Sequence, residues 1–302
     1  MKAIEISKLV KTYDNVKAVK SISFDVEHNS FFAFLGPNGA GKSTTINIIS
    51  TLLDYDSGVV KVYGNELSKD DSKIRDKIGV VFQQSMLDGL LTVMENLEIR
   101  SSFYGITKAN LLIRLEEINE FIEIEPFLNQ KYKTLSGGQR RKADIARALI
   151  NWPEILILDE PTTGLDPKSR KDIWRLINKL RLEKNVTIFL TTHYMEEVKD
   201  ANKVVIINDG EIVAQGSSEE LRLKYSSDRV KIIPKNDLEK VLNADNVEYY
   251  VVNNTINIDL EDAFAGIDFV NKYKEHIKDF EIIRGDMDDV FLNITGRKLV
   301  NY

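Results

Sequence analysis

Phe31-Phe-Ala-Phe-Leu-Gly36-Pro-Asn-Gly-Ala-Gly-Lys-Ser43 decides the fold, because an unbroken apolar run of strand length passes straight into a glycine-rich turn and then into the helical run Thr44 to Leu53. A strand that is apolar at every position is covered on both faces, as in the parallel sheets of α/β proteins. Gly36 to Ser43 has the spacing G-x-x-x-x-G-K-[ST], and the strand before it and helix after it are the context that gives this spacing meaning. Glycines 36, 39 and 41 let the backbone turn its N–H groups inward around phosphate oxygens, and the following helix adds its positive N-terminal end. The whole loop, Gly36, Asn38, Gly39, Ala40, Gly41, Lys42, Ser43 and Thr44, is therefore a candidate phosphate cradle. Within it Lys42 is placed to reach the β- and γ-phosphates of a nucleotide, and the Ser43 hydroxyl to hold Mg²⁺.

Similar apolar runs recur at Val80 to Phe82, Ile155 to Leu158, Val186 to Leu190 and Val204 to Ile207, with helical patterns between them. Such alternation predicts an α/β domain built on a largely parallel sheet. Residues 91–150 hold no comparable strand, and the spacing of Leu111, Leu115, Ile118 and Ile122 predicts an inserted helical subdomain. Ile155-Leu-Ile-Leu-Asp159-Glu160 ends a buried strand in two carboxylates, at the sheet edge where open α/β proteins bind ligands. A solvated acidic pair is common at strand ends, but beside a phosphate loop a chemical reading is favoured. Asp159 would orient Mg²⁺ and Glu160 would polarise the water that attacks the γ-phosphate. Leu135-Ser136-Gly137-Gly138-Gln139 then opens the helical run Arg140 to Ile150, which makes a second anion site where only one nucleotide loop exists.

These three motifs in this order resemble the ATPases of ABC transporters, and the resemblance covers residues 1 to about 222. It implies a P-loop NTPase of ABC type, with antiparallel N-terminal strands beside the parallel core, that binds ATP and Mg²⁺. It also implies that Ser136 to Gln139 serve the ATP of the opposite subunit, so the chain would act as a homodimer or heterodimer beneath integral membrane subunits. Gln83, ending Gly79-Val-Val-Phe-Gln83, resembles the glutamine that senses Mg²⁺ and the attacking water, although Gln84 is adjacent. Asp166 resembles the aspartate of the loop that runs along the partner, and His193 the switch histidine that contacts the γ-phosphate. Tyr13 resembles the aromatic that stacks on adenine, against the plainer reading of a strand-face residue. Catalytic roles are thus expected for Lys42, Gln83, Glu160 and His193, and metal-holding roles for Ser43, Gln83 and Asp159. One departure is His28-Asn29-Ser30, where the family usually has a glycine; asparagine tolerates left-handed geometry, so an altered turn and an intact site are expected.

Beyond residue 222 the motifs stop, and residues 223–302 read as an accessory α+β domain after the junction Lys224 to Asp228. Strands at Val230 to Ile233, Val247 to Val252, Thr255 to Leu260 and Phe280 to Ile283 alternate with helices at Asp237 to Leu242 and Asp262 to His276. This βαββαβ order suggests a ferredoxin-like layer. The ending Asp289 to Arg297 resembles the C-terminal extension of ATPases serving ABC-2 type exporters, which implies export. In 302 residues, 43% hydrophobic content suffices to fill two cores. A formal charge of −6 gives no global reason to bind nucleic acid, and zero cysteines exclude disulfides and thiolate sites. No apolar run approaches membrane-spanning length, and the charged start Met1 to Asp14 lacks a secretory core, so the chain is expected at the cytoplasmic face of the membrane, held by its partners. An ABC ATPase of DNA repair, chromosome structure or translation would share the same site. The span from Lys42 to Leu135 is too short for the long insertions of the repair and chromosome types, and a single set of motifs argues against the translation type.

Overall fold

In the computed structural model, which describes residues 1–235 and 237–296, the apolar run Phe31–Leu35 lies inside a six-stranded sheet. Its order is Glu211–Gly216, Lys203–Asn208, Phe31–Leu35, Thr187–Thr192, Ile155–Asp159, Ile78–Val81. Pairing is parallel from Lys203–Asn208 through to Ile78–Val81. Every residue of the three central strands is buried, as their uninterrupted apolar pattern requires. The carboxyl ends of these strands deliver the phosphate loop, the Asp159-Glu160 pair and Thr191-Thr192-His193 to one edge of the sheet.

A second sheet, ordered Val16–Glu27, Lys2–Tyr13, Ser57–Val62, Asn65–Glu66, is antiparallel. Its strands alternate buried and exposed residues, and Ile4, Ile6, Phe24, Val60 and Val62 share a core with Phe32, Phe34, Ile157 and Phe189 of the parallel layer and Ile46 of the helix after the phosphate loop. Phe24 stacks on Phe32 at 5.2 Å between ring centres. Each such ring stabilises the contact by about 1.5–3 kcal/mol, so this apolar cluster fixes the antiparallel sheet against the parallel one. At the expected unusual turn Asn29 adopts φ 55, and it is tied down by its N–H to Thr187 Oγ1 (3.0 Å) and its side chain to Asn185 Oδ1 (3.1 Å).

Between Ile78–Val81 and Ile155–Asp159 the chain forms the helices Val93–Ser102, Lys108–Ile122 and Gly137–Leu149. Leu111, Leu115, Ile118 and Ile122 are buried along one face of the second of these. Phe82 falls just past its strand, and the helix after the phosphate loop spans Lys42–Ile49, shorter than the run to Leu53.

Two compact units, residues 1–215 and 216–302, divide the chain, and residue 222 falls inside the helix Ser218–Tyr225 of the second. That unit holds an antiparallel sheet ordered Tyr250–Val252, Thr255–Leu260, Asp228–Pro234, Ile277–Ile283. Leu238 and Leu242 of the helix Leu238–Ala244, and Phe269, Val270 and Tyr273 of Ala263–Tyr273, pack on Val230, Ile232, Ile256 and Ile258. Asn253 and Asn254 both take positive φ, 48 and 63, the geometry of a two-residue hairpin turn. The strand expected over Val247 to Val252 is reduced to its last three residues, because Val247 and Tyr249 lean into the core instead of pairing. Two helices not expected from the sequence, Ser218–Tyr225 and Met287–Thr295, pack together, each opened by a capping box. Arg297, which ended the C-terminal resemblance, lies outside the described residues.

Candidate functional site

The glycines of the phosphate loop are required by shape. Gly41 has φ +107, and a Cβ there would sit 2.5 Å from the Ala18 carbonyl oxygen; at Gly36 a Cβ would sit 2.4 Å from that of Ile207. Gly41 caps the helix Lys42–Ile49 without a side chain, so the N–H groups of the first turn are left for another acceptor. Lys42, 6% exposed, donates from Nζ to the carbonyls of Gly36 (2.7 Å) and Pro37 (3.1 Å). Burial lowers its pKa, and the nearby Glu160 and Asp159 carboxylates work against that shift. Gly41→Ala combines left-handed strain with a backbone clash and is expected to destabilise the chain by about 1–3 kcal/mol in urea unfolding. Gly39→Ala, at φ +82 in open space, meets no neighbour and should cost less.

Glu160 stands at the centre of a converging group. Its backbone takes φ 46, unusual for a residue with a Cβ, which turns the side chain off the end of the strand Ile155–Asp159. Glu160 Oε2 accepts from Gln83 Nε2 (3.2 Å) and Thr163 Oγ1 (3.1 Å), and His193 Nδ1 lies 3.3 Å away. Among the described residues Oε1 accepts no hydrogen bond, which leaves it open to a water molecule. The bond and positive charge available from His193 hold the Glu160 carboxyl below the usual range, against the effect of burial. Asp159 differs: burial pushes its carboxyl up, although Thr191 Oγ1 donates to it at 2.5 Å and Lys42 also opposes the shift. Gln83, and not Gln84, makes the contact with Glu160.

The other candidates serve local structure within a single chain. Ser136 caps the helix Gly137–Leu149, in a capping box with Gln139. A Cβ at Gly138 would meet Ser169 Oγ at 2.7 Å, and one at Gly137 would touch Leu165 at 3.4 Å, so small residues admit the neighbouring loop. Asp166 caps the helix Pro167–Lys184, accepting from the N–H groups of Lys168 and Ser169 at 3.0 Å each. Tyr13 is 44% exposed at a strand end, with Lys11 Nζ 5.5 Å from its ring centre. Among the described residues no hydrogen bond or ion pair joins Leu135 to Gln139 with Gly36 to Thr44, so one chain does not unite its own two anion sites.

Arg141 was not singled out from the sequence, yet it clamps the site. Its guanidinium donates to four carbonyls: Phe82 (2.6 Å), Glu160 (2.7 Å), Asp159 (3.1 Å) and Pro161. One buried side chain thus ties the helix Gly137–Leu149 to the backbone bearing Gln83 and Glu160. Its spacing with the buried Asp144, Ile145 and Ala148 was the available signal.

Residues 19–163 match the family described as ABC transporter. The daunorubicin/doxorubicin resistance ATP-binding protein DrrA of Streptomyces peucetius is 32% identical over 98% of this chain and 93% of its own length. This chain belongs to the ABC transporter family. A Nod factor export ATP-binding protein I of Rhizobium etli is 34% identical, covering 99% of this chain and 95% of that protein. The ATP-binding cassette MJ0796, solved as a dimer in a post-hydrolysis state with ADP and Pi, superposes with a TM-score of 0.65 at 32% identity, covering 71% of this chain and 98% of that one. The chain is an ATP-binding subunit of an ABC transporter, and its chemistry is ATP hydrolysis for transport.

Proposed function

We propose that Glu160 is the general base of ATP hydrolysis, and the observation that carries this is the convergence of Gln83, Thr163 and His193 on its Oε2 while Oε1 stays open. A carboxylate ionised at neutral pH and fixed by three neighbours can accept the proton of an attacking water through its free oxygen. Lys42, released from the Gly36 and Pro37 carbonyls, would bind the β- and γ-phosphates, and the bare helix terminus after Gly41 would take the remaining phosphate charge. Tyr13 would stack on adenine. Ser43, Asp159 and Gln83 offer oxygen donors only, a set that fits Mg²⁺. The ion would neutralise charge developing on the phosphates.

Ser136, Gly137, Gly138 and Gln139 would complete the site of a second subunit, with Asp166 along the interface, because they are not joined to this chain's own phosphate loop. The dimer would stand on the cytoplasmic side of membrane-spanning partners; no helix among the described residues is long and apolar enough to cross a membrane itself. Relatives named for drug resistance and Nod factor export support the direction of transport as export. ATP chemistry is assigned to residues 1–222 and an accessory role to residues 223–302. A ferredoxin-like reading of the latter is supported by the βαββαβ succession and by the third strand lying between the second and the first, with the fourth on the first strand's other side.

Mixing two inactive variants tests the shared site. Lys42→Ala spoils a chain's own loop and Ser136→Arg spoils the motif it lends. A mixed dimer keeps one intact site, so an equal mixture should recover about a quarter of the normal rate where neither variant alone turns over ATP. No recovery, or full activity of Ser136→Arg alone, would overturn the shared site. Purification from native membranes should bring multi-pass chains with it; their absence would count against the membrane partners.

A further inference from the structure

Glu197 is 7% exposed and lies four residues beyond His193, in the 3₁₀ turn Met195–Val198. Its carboxylate is the meeting point of three segments that each carry a candidate residue of the site. Glu197 Oε1 accepts from Thr162 Oγ1 and from Trp174 Nε1 (3.0 Å), and Oε2 accepts from Thr192 Oγ1. Thr162 follows Glu160 by two residues, Thr192 immediately precedes His193, and Trp174 stands on the helix Pro167–Lys184 that Asp166 caps. All three donors are neutral. A buried carboxylate is costly to desolvate, and the three hydrogen bonds it accepts offset that cost while fixing its position.

We propose that Glu197 is a positioning residue that registers the His193 loop against the Glu160 turn. The parallel sheet fixes the backbone only as far as Thr192, where the strand ends. Beyond it, direction is set by the Thr192 hydroxyl, which donates to Glu197 and accepts from the N–H of Tyr194 (3.0 Å). Committing the hydroxyl proton to Glu197 leaves a lone pair for Tyr194, so the two bonds reinforce each other. The Glu197 N–H closes the turn onto the Tyr194 carbonyl at 3.2 Å. At its other oxygen the same carboxylate holds Thr162. One side chain therefore spans the two backbones whose side chains meet as His193 Nδ1 and Glu160 Oε2 at 3.3 Å. The inference rests on the reading of Glu160 and His193 as a reacting pair.

Steady-state ATP hydrolysis by the full chain tests it, with Glu197→Ala, Glu197→Gln, His193→Ala and the double variant Glu197→Ala/His193→Ala. Misplacing a reacting group is worth up to ~10²-fold, so Glu197→Ala is expected to lower kcat by roughly 10- to 100-fold. KM for ATP should stay within about threefold, since the phosphate loop is untouched. Glu197→Gln should recover most of that loss, because its carbonyl can serve Thr162 and Trp174 while its NH₂ donates to a rotated Thr192 hydroxyl. In the double variant the Glu197 substitution should add nothing to the loss caused by His193→Ala. Normal kcat in Glu197→Ala, or losses that multiply in the double variant, would overturn the proposal. Normal turnover in His193→Ala would overturn the underlying reading of the site, and the proposal with it. If Glu197→Ala does not fold, Thr192→Val removes the same link at constant volume; it should lower kcat alone, and an unchanged kcat would overturn the proposal.

Discussion

Glu160→Gln is expected to slow ATP turnover by ~10²–10⁴-fold while ATP binding and fold are retained. The geometry separates these outcomes. If the amide oxygen takes the place of Oε2, the donors Gln83 and Thr163 and the neighbouring His193 keep their acceptor. Only the open Oε1 is lost, replaced by an NH₂ that cannot take a proton from water. The buried surroundings lose a negative charge beside Lys42, which still faces Asp159, so phosphate binding by the loop should persist or tighten. With ATP uncleaved, a loop of one chain and Leu135 to Gln139 of the other would hold the same γ-phosphate, and bound nucleotide would stabilise the pair by mass action. Light scattering should then show a monomer-to-dimer shift with ATP and none with ADP. A normal hydrolysis rate in Glu160→Gln would remove Glu160 from the role of base.

The sequence makes the phosphate loop legible because its constraints are local. Gly41 needs a positive φ and close approach to Ala18, and no other residue type fits both demands. The three fully buried strands are equally readable, since burial on both faces leaves no polar position to interrupt them. What escaped reading depends on contacts between distant segments. Arg141 sits in Arg140-Arg-Lys142, three charges that look alike in sequence, told apart only by the helical spacing that sets Arg141 on the buried face with Asp144, Ile145 and Ala148. Glu197 stands beside Glu196 in the same way, one acid buried and the other exposed. The choice of Gln83 over Gln84 was open for the same reason, until the strand Ile78–Val81 set which side chain reaches Glu160. In the C-terminal unit the missed helix Ser218–Tyr225 did carry a local signal, Ser217 with Glu220 three residues on, the pattern of a capping box.

Arg141→Lys is expected to destabilise the ATPase unit by about 3–5 kcal/mol, although it conserves charge. Each buried carbonyl left without a donor costs about 1–3 kcal/mol, and Arg141 serves four carbonyls, on Phe82, Asp159, Glu160 and Pro161, of which that of Glu160 has a second donor, the Thr163 N–H at 3.4 Å. A guanidinium spreads its donors in a planar fork and reaches several carbonyls at once; an ammonium is a single point with three donors on a flexible stem. Lysine could satisfy one or two of these oxygens and would leave the rest buried. Burial already lowers the Arg141 pKa, and lysine, with its lower intrinsic value, would be easier to discharge there. Against a typical total of about 5–15 kcal/mol, such a loss leaves a folded but weakened domain. Urea unfolding should therefore show a large fall in midpoint, with Arg140→Lys, an exposed neighbour bonded to the Leu135 carbonyl, changing stability by only about 0.5 kcal/mol. The turn bearing Glu160 would lose its clamp as well, so ATP turnover of the folded fraction should fall with stability. Equal midpoints for the two variants would mean that the four carbonyls find other donors and that Arg141 does not hold the turn.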